Sequence, residues 1–347
     1  MPIPPLYGHE GIRHRLVGAI ASGRLPQALL FEGPPGVGKQ RLALWLAQAL
    51  LCEAGKGEPC GKCQPCKLVL NLSHPDVHWF VPLELSKKGG DADKQVELVE
   101  EALGEEMAAR RQQPLYEPAS GLASHGIAAV RLLLRRLALT PALARRKVFV
   151  IGDADRLVPQ TGAEAAANAL LKALEEPPAD ATFILTTAAP ESLLPTILSR
   201  VVRVRVARLA DSVVTAFAQH ELGVTGQREL VQRVAVADGR IGRLLADGNG
   251  RARGVEAGER FRRAVEGGPA RRYEFALGLQ PFQARGGFTE MLDGLLEQLR
   301  EQARSGGETE KVVAAISQVL AARSLAQGNV NPQLVAAVLA DDLAERA

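Results

Sequence analysis

The chain has 347 residues, of which 46% are hydrophobic and 23% charged, a balance that fits two or three cored domains and excludes wholesale disorder. Its net charge of +3 is too mild to imply nucleic-acid binding by itself, and no apolar run reaches the ~20 residues of a membrane span. The opening residues, MPIPPLYGHEGIRHRL, lack the apolar core of a secretion signal, so a soluble, cytoplasmic, helix-rich protein is expected.

The first clear element is ALLFE at 28–32, a short apolar run that reads as a buried parallel strand. It leads into GPPGVGKQ at 33–40 and then into RLALWLAQALLC, whose apolar residues recur at helical spacing. VHWFV (77–81), VFVI (148–151) and FILTT (183–187) read as further buried strands, and VVRVRV (201–206) alternates as a half-exposed strand does. Helical segments between them predict an α/β unit with a parallel sheet over 1–207. Residues 87–123, with Lys87-Lys88-Gly89-Gly90, a charged helix-like run and turns near Pro114 and Pro118, read as a solvated surface insertion. Beyond 207 the strand signals stop. A small helical block over 208–250 and a second over 255–347 are expected, with the Gly/Arg-rich stretch 247–258 between them.

All four cysteines lie within 52–66, spaced C-x7-C-x2-C-x2-C at Cys52, Cys60, Cys63 and Cys66. In a reducing compartment disulfides rarely persist, and four thiolates supply a closed tetrahedral site, so structural zinc is the leading reading. Four free or redox-active thiols are the alternative. His74 and His78 lie nearby but are not needed, because four sulfurs complete the site.

Gly33, Gly36, Val37, Gly38, Lys39 and Gln40 form the candidate nucleotide site. The backbone amides from Gly36 to Gln40 can face phosphate oxygens at a helix start, with Lys39 reaching the outer phosphates. A glycine-rich turn without a ligand is the competing account. Two positions depart from the phosphate-loop pattern. Gln40 stands where a Ser or Thr hydroxyl binds Mg²⁺, and VFVI runs into Gly152-Asp153, which puts glycine at the metal-holding Asp position and Asp153 at the water-activating one. A site that holds ATP or ADP without hydrolysing it is expected.

AANALLKALEEPP (166–178), TFILTTAAPESLLPTILSR (182–200), HPDVHW (74–79), RKVFVIGDADRL (146–157) and the four-Cys module together resemble the clamp-loader branch of the AAA+ ATPases. The resemblance covers most of 1–207. It implies an AAA+ α/β domain, a small helical lid and a helical collar domain that builds a heteropentameric ring. It also implies partners: motor subunits (gamma/tau), a wrench-like delta subunit, and, through the assembled ring, the sliding clamp and primer-template DNA. By the same resemblance Ser199 and Arg200 match a Ser-Arg-Cys motif, with Val201 in place of the Cys, whose arginine enters the neighbouring subunit's ATP site. Thr187 falls near the polar sensor position, where a Thr is equally good strand filler. In the lid, ADGRIGRLL (237–245) puts Gly242 where active loaders carry a phosphate-sensing arginine.

Lys39 and the intact glycines favour an active ATPase motor, whereas Gln40, Gly152 and Gly242 favour a static subunit that lends Arg200 to its neighbour, and three losses outweigh one retained loop. An autonomous nucleic-acid binder is disfavoured by the low charge and scarce aromatics. Trp45 and Trp79 are expected in the core, Glu175-Glu176 at a helix end before Pro177, and Arg135, Arg136, Arg145 and Arg146 on a solvated face.

Overall fold

The computed structural model describes residues 2–55, 57–84, 91–115, 123–158, 164–245, 248–281, 287–304, 309–326 and 330–345. They fall into two compact units, one ending at 245 and the other made of the residues that follow.

The first unit opens with helix α1 (Glu10–Ala21), strand β1 (Ala28–Glu32) and helices α2 (Lys39–Leu51) and α3 (Gln64–Leu70). It continues through β2 (Val77–Phe80), α4 (Ala92–Gln112), α5 (Ile127–Ala138), β3 (Lys147–Ile151) and α6 (Ala165–Glu175). Then come β4 (Ala181–Thr187), the single turn α7 (Pro195–Leu198) and β5 (Val202–Arg205). The five strands pair in parallel in the order β2-β3-β4-β1-β5. Each residue of β1, β3 and β4 is buried, because helices cover both faces and leave no solvated side to alternate with. This is the parallel α/β unit that the sequence predicts. Trp45 and Trp79 lie in its core, as expected.

The stretch read as a solvated insertion is different. The described part of 87–123 contains α4, a helix of 21 residues whose Val96, Val99 and Leu103 are buried in the main core. Arg135 pairs with Asp93, and Arg136 with Glu100 at 2.8 Å, so these arginines tie α5 to α4. Arg110 is buried and stacks over the Trp79 ring at 4.4 Å. Acidic residues on the outer face mask the apolar stripe in the sequence. The run at 87–90 and the turn at Pro118 lie outside the described residues. Just before β2 the HPD segment (74–76) has a structural job: the Asp76 carboxylate accepts the backbone N–H groups of Ala142, Leu143 and Ala144 at 2.6–2.8 Å, which holds its pKa below the usual carboxylate range despite burial.

Three helices complete this unit: α8 (Asp211–Leu222), α9 (Gln227–Ala237) and the single turn α10 (Gly242–Leu245). Small clusters around Val214 and Ala237, and around Ala218 and Leu230, hold them together. The second unit is helical throughout its described residues, with α11 (Gly248–Glu266), α12 (Pro269–Leu277), α13 (Gly287–Arg304), α14 (Thr309–Ala326) and α15 (Pro332–Ala344). Phe261, Phe288, Met291, Leu292, Val319 and Leu339 form its core. The Gly/Arg-rich stretch read as a separator is, from 248 onward, the first half of α11. Val313, Leu320, Leu334 and Val338 remain exposed on α14 and α15.

Candidate functional site

The carboxyl ends of parallel strands are where open α/β sheets gather ligand-binding loops. Here β1 runs into the 33–38 loop and α2 starts at Lys39. Gly36 and Gly38 have φ of 79° and 93°, a left-handed conformation that a side chain would strain and that lets successive N–H groups converge. Gly33, Val37 and Gln40 stand where the sequence places them. Lys39 is only 6% exposed, and its Nζ donates to the carbonyls of Gly33 and Pro34, both at 2.8 Å. Burial pushes its pKa down to about 8, against the pull of the Asp153 and Asp155 charges. Asp153 is raised in turn by burial and by Asp155, while Arg156 and Lys39 oppose the shift.

Gln40 and Gly152 interlock. A Cβ on Gly152 would lie 2.8 Å from both Cδ and Oε1 of Gln40, so the carboxamide takes the room that any side chain at 152 needs. The amide hydrogen-bonds Asp153, and its Oε1 is buried with no partner among the described residues. The hydroxyl and the first carboxylate of a Mg²⁺ site are therefore both absent, and the donors present do not fit that ion.

The loop is pinned from two sides, by His9, which pattern reading missed, and by Gly242, whose contact with the loop it did not show. His9 Nε2 lies 2.7 Å from the Val37 carbonyl, and burial lowers its pKa. From the start of α10, the Gly242 N–H donates to the Gly36 carbonyl at 2.8 Å. A Cβ on Gly242 would sit 2.7 Å from Gly36 Cα, so only glycine permits this backbone approach. His125 is also buried, with Nε2 2.7 Å from the Gly152 carbonyl, and burial brings its pKa down to about 4. No local spacing signals any of these contacts, because each joins segments far apart in the chain.

Thr187 pairs with Glu32 at the root of the loop. Its hydroxyl is committed within the chain: it donates to Asp155 at 2.6 Å and accepts from the Ala189 N–H at 3.0 Å. Ser199 and Arg200 follow α7. The Ser199 hydroxyl donates to the Thr196 carbonyl at 3.0 Å, and the Arg200 guanidinium meets Thr196, Ser199 and the Glu175 carboxylate. Among the described residues, no hydrogen bond or ion pair joins Arg200 to the Lys39 loop. Glu175 does end α6, as Pro177 dictates.

The cysteines converge at the other end of α2. Cys52 follows that helix directly, while Cys63 and Cys66 lie at the start of α3. Their four sulfur atoms are all within 4.8 Å of one another, and the Cys60–Cys66 and Cys63–Cys52 separations are 4.0 and 3.9 Å. Zn–S bonds of ~2.3 Å in a tetrahedron require sulfurs about 3.8 Å apart, so this donor set suits such an ion. Backbone N–H groups of Cys60 and Cys63 point at Cys52 and Cys60 sulfurs at 3.3 and 3.4 Å. Chiefly through the Cys63 and Lys62 amides, the Cys60 thiol is drawn down to about 6, whereas burial pushes Cys66 up. His74 and His78 take no part in the cluster.

No helix among the described residues is long and apolar enough to cross a membrane. Of curated proteins, the DNA polymerase III subunit delta′ of Bacillus subtilis is 35% identical over 185 residues, 53% of this chain and 43% of that one. The Escherichia coli subunit delta′ is 33% identical over 187 residues, 54% and 44% of the two chains. Mycobacterium tuberculosis H37Rv subunit gamma/tau is 32% identical over 194 residues, 56% and 26%. The chain thus matches less than half the length of these relatives. A gamma-subunit-related protein of Thermotoga maritima aligns over 95% of this chain and 99% of its own, with 18% identity and a TM-score of 0.42. Residues 8–210 match the family described as DNA polymerase III, delta subunit, and the chain belongs to that family.

Proposed function

We propose that this chain is a static clamp-loader subunit of the delta′ kind in a bacterial DNA polymerase III. In this reading it is a cytoplasmic, non-motor member of a heteropentameric ring with gamma/tau motor subunits and a delta subunit. The ring loads the sliding clamp onto primer-template DNA for the DNA-directed DNA polymerase, and this chain supports that work without turning over ATP itself. The observation that carries the static role is the carboxamide of Gln40 packed into the space a residue-152 side chain would take. Without the hydroxyl at 40 and the carboxylate at 152 that hold Mg²⁺ in the phosphate-loop pattern, the site lacks two of the groups that place the ion neutralising transferring phosphoryl charge.

ATP or ADP would rest its phosphates on the Gly36–Gln40 amides and Lys39. Zinc would be held by Cys52, Cys60, Cys63 and Cys66 and would fix the fold of the module, since four thiolates leave no open position for chemistry. Arg200, beside Ser199, would act in trans on a motor subunit's nucleotide. The second reading is a motor ATPase, which the left-handed glycines and the retained Lys39 favour.

Nucleotide binding and ATP hydrolysis by the purified chain with Mg²⁺, beside a Lys39→Ala control, separate the two. The static reading expects no turnover above background. Turnover near ~1 per second that Lys39→Ala abolishes would overturn it.

A further inference from the structure

Arg200 is held back by its own chain. Nη1 donates to the Thr196 carbonyl at 2.8 Å and to Ser199 Oγ at 3.1 Å, while Nη2 pairs with the Glu175 carboxylate. Nε is buried with no partner among the described residues. A guanidinium has five N–H groups. Those on Nη1 are both used, one on Nη2 is used, and the one on Nε faces inward. Arginine grips phosphate best with two parallel N–H bonds from the fork of its guanidinium. Arg200 cannot offer a fork to another molecule while Glu175 keeps its hold.

Glu175 is the last residue of α6. A carboxylate at that end of a helix sits against the negative pole of the backbone dipoles, so the position gains from a nearby cation. Both side chains are still partly open to solvent, at 31% for Arg200 and 45% for Glu175. An ion pair this exposed is weak and exchangeable, which makes it a bias on the arginine and not a lock.

We propose that Glu175 is a positioning residue that parks Arg200 in a retracted conformation, from which an adjoining subunit's nucleotide phosphate draws it out. This rests on the reading of Arg200 as an arginine that works in trans. Phosphate and Glu175 compete for the same Nη2 edge. Binding of nucleotide at the neighbouring site therefore has to overcome the pairing, and removing the carboxylate charge relieves that site of the competition.

The test uses the full chain assembled with the clamp-loader subunits of its own organism. ATP turnover is followed for the wild type, Arg200→Ala, Glu175→Gln, Glu175→Asp and the Arg200→Ala/Glu175→Gln double variant. Arg200→Ala should slow turnover. Glu175→Gln should lower KM for ATP by roughly two- to fivefold, the range an exposed pair supports, with kcat unchanged because saturating nucleotide already draws the arginine out. Glu175→Asp, which keeps the charge, should stay near the wild-type KM, and the double variant should match Arg200→Ala. If Arg200→Ala leaves turnover unaltered and only lowers the melting temperature, Arg200 is a structural cation for α6, and both readings fall. If Arg200→Ala slows turnover but Glu175→Gln leaves KM the same or raises it, the trans role stands and the parking role is wrong.

Discussion

The two ends of helix α2 present opposite kinds of site. Its carboxyl end delivers Cys52 to a cluster in which four sulfurs stand close together, two of them already receiving backbone N–H groups. Its amino end delivers Lys39 and Gln40 to a glycine-rich loop with two left-handed glycines, where the hydroxyl and the first carboxylate of the phosphate-loop pattern are absent. One site has a complete donor set. The other has a complete scaffold, with its interior filled by the chain's own groups: Lys39 on two carbonyls, Gln40 against Gly152 and Gly242 on Gly36. Backbone geometry alone therefore does not identify a working nucleotide site. What the side chains do to one another decides it.

The comparison can be broken most forcefully at the cysteine end. If that cluster is a folded-in metal centre, the chain as purified carries about one equivalent of zinc, and Cys66→Ser or a strong chelator lowers the melting temperature by ~10 °C or more, because metal binding free energy is folding free energy. Metal analysis and thermal melts check this. A metal-free chain that melts unchanged after chelation would make the cysteines free thiols. At the other end, Gly242→Ala pushes a methyl group into Gly36 Cα. Overpacking of this kind costs about 1–3 kcal/mol, or a melting point lower by roughly 2–8 °C. Gly18→Ala in α1, where a Cβ meets nothing within 4 Å, is the control and should hold or raise stability. The smallest effect is one of pH. Lys39 titrates near 8 in the folded chain, below its ordinary value of 10.5, so it is a cation below that pH and increasingly neutral above it. Affinity for ADP should fall as pH rises through about 8, and binding near pH 8.5 should take up protons, visible by calorimetry in buffers of different ionisation enthalpy. The same pKa shift makes the unfolded chain bind more protons between about 8 and 10.5, so fold stability should rise with pH across that window.

Much of the α/β unit was legible because its strands are buried on both faces and so appear as unbroken apolar runs. ALLFE coincides with β1, and the other strands differ from their predicted spans by only a residue or two at an end. The cysteine cluster was legible because spacing limits how four sulfurs can meet. Helix α4 was not, since Val96, Val99 and Leu103 are diluted by acidic neighbours, and a single buried stripe reads as solvated when averaged with its outer face. In the candidate site the departures at Gln40, Gly152 and Gly242 could be seen in the sequence, but not their mutual contacts. Nor could the use of the Thr187 hydroxyl by Asp155, or of Arg200 by Glu175, be read from spacing. Such pairings depend on rotamers and on which loops the sheet brings together.

The contacts of Gln40 with Gly152 and of Gly242 with Gly36 bear differently on how the chain can change. An aspartate at 152 would meet only the end of the Gln40 side chain, which can turn aside at little cost, and would add a carboxylate beside Asp153. A threonine at 40 would give up the Gln40 hydrogen bond to Asp153. An arginine at 242 would first have to displace the backbone of Gly36. The approach at 242 is the stricter barrier, since the backbone of Gly36 cannot swing aside as the end of a glutamine side chain can. A chain in this arrangement is held to glycine at 242 by its own backbone, while positions 40 and 152 stay free to vary together.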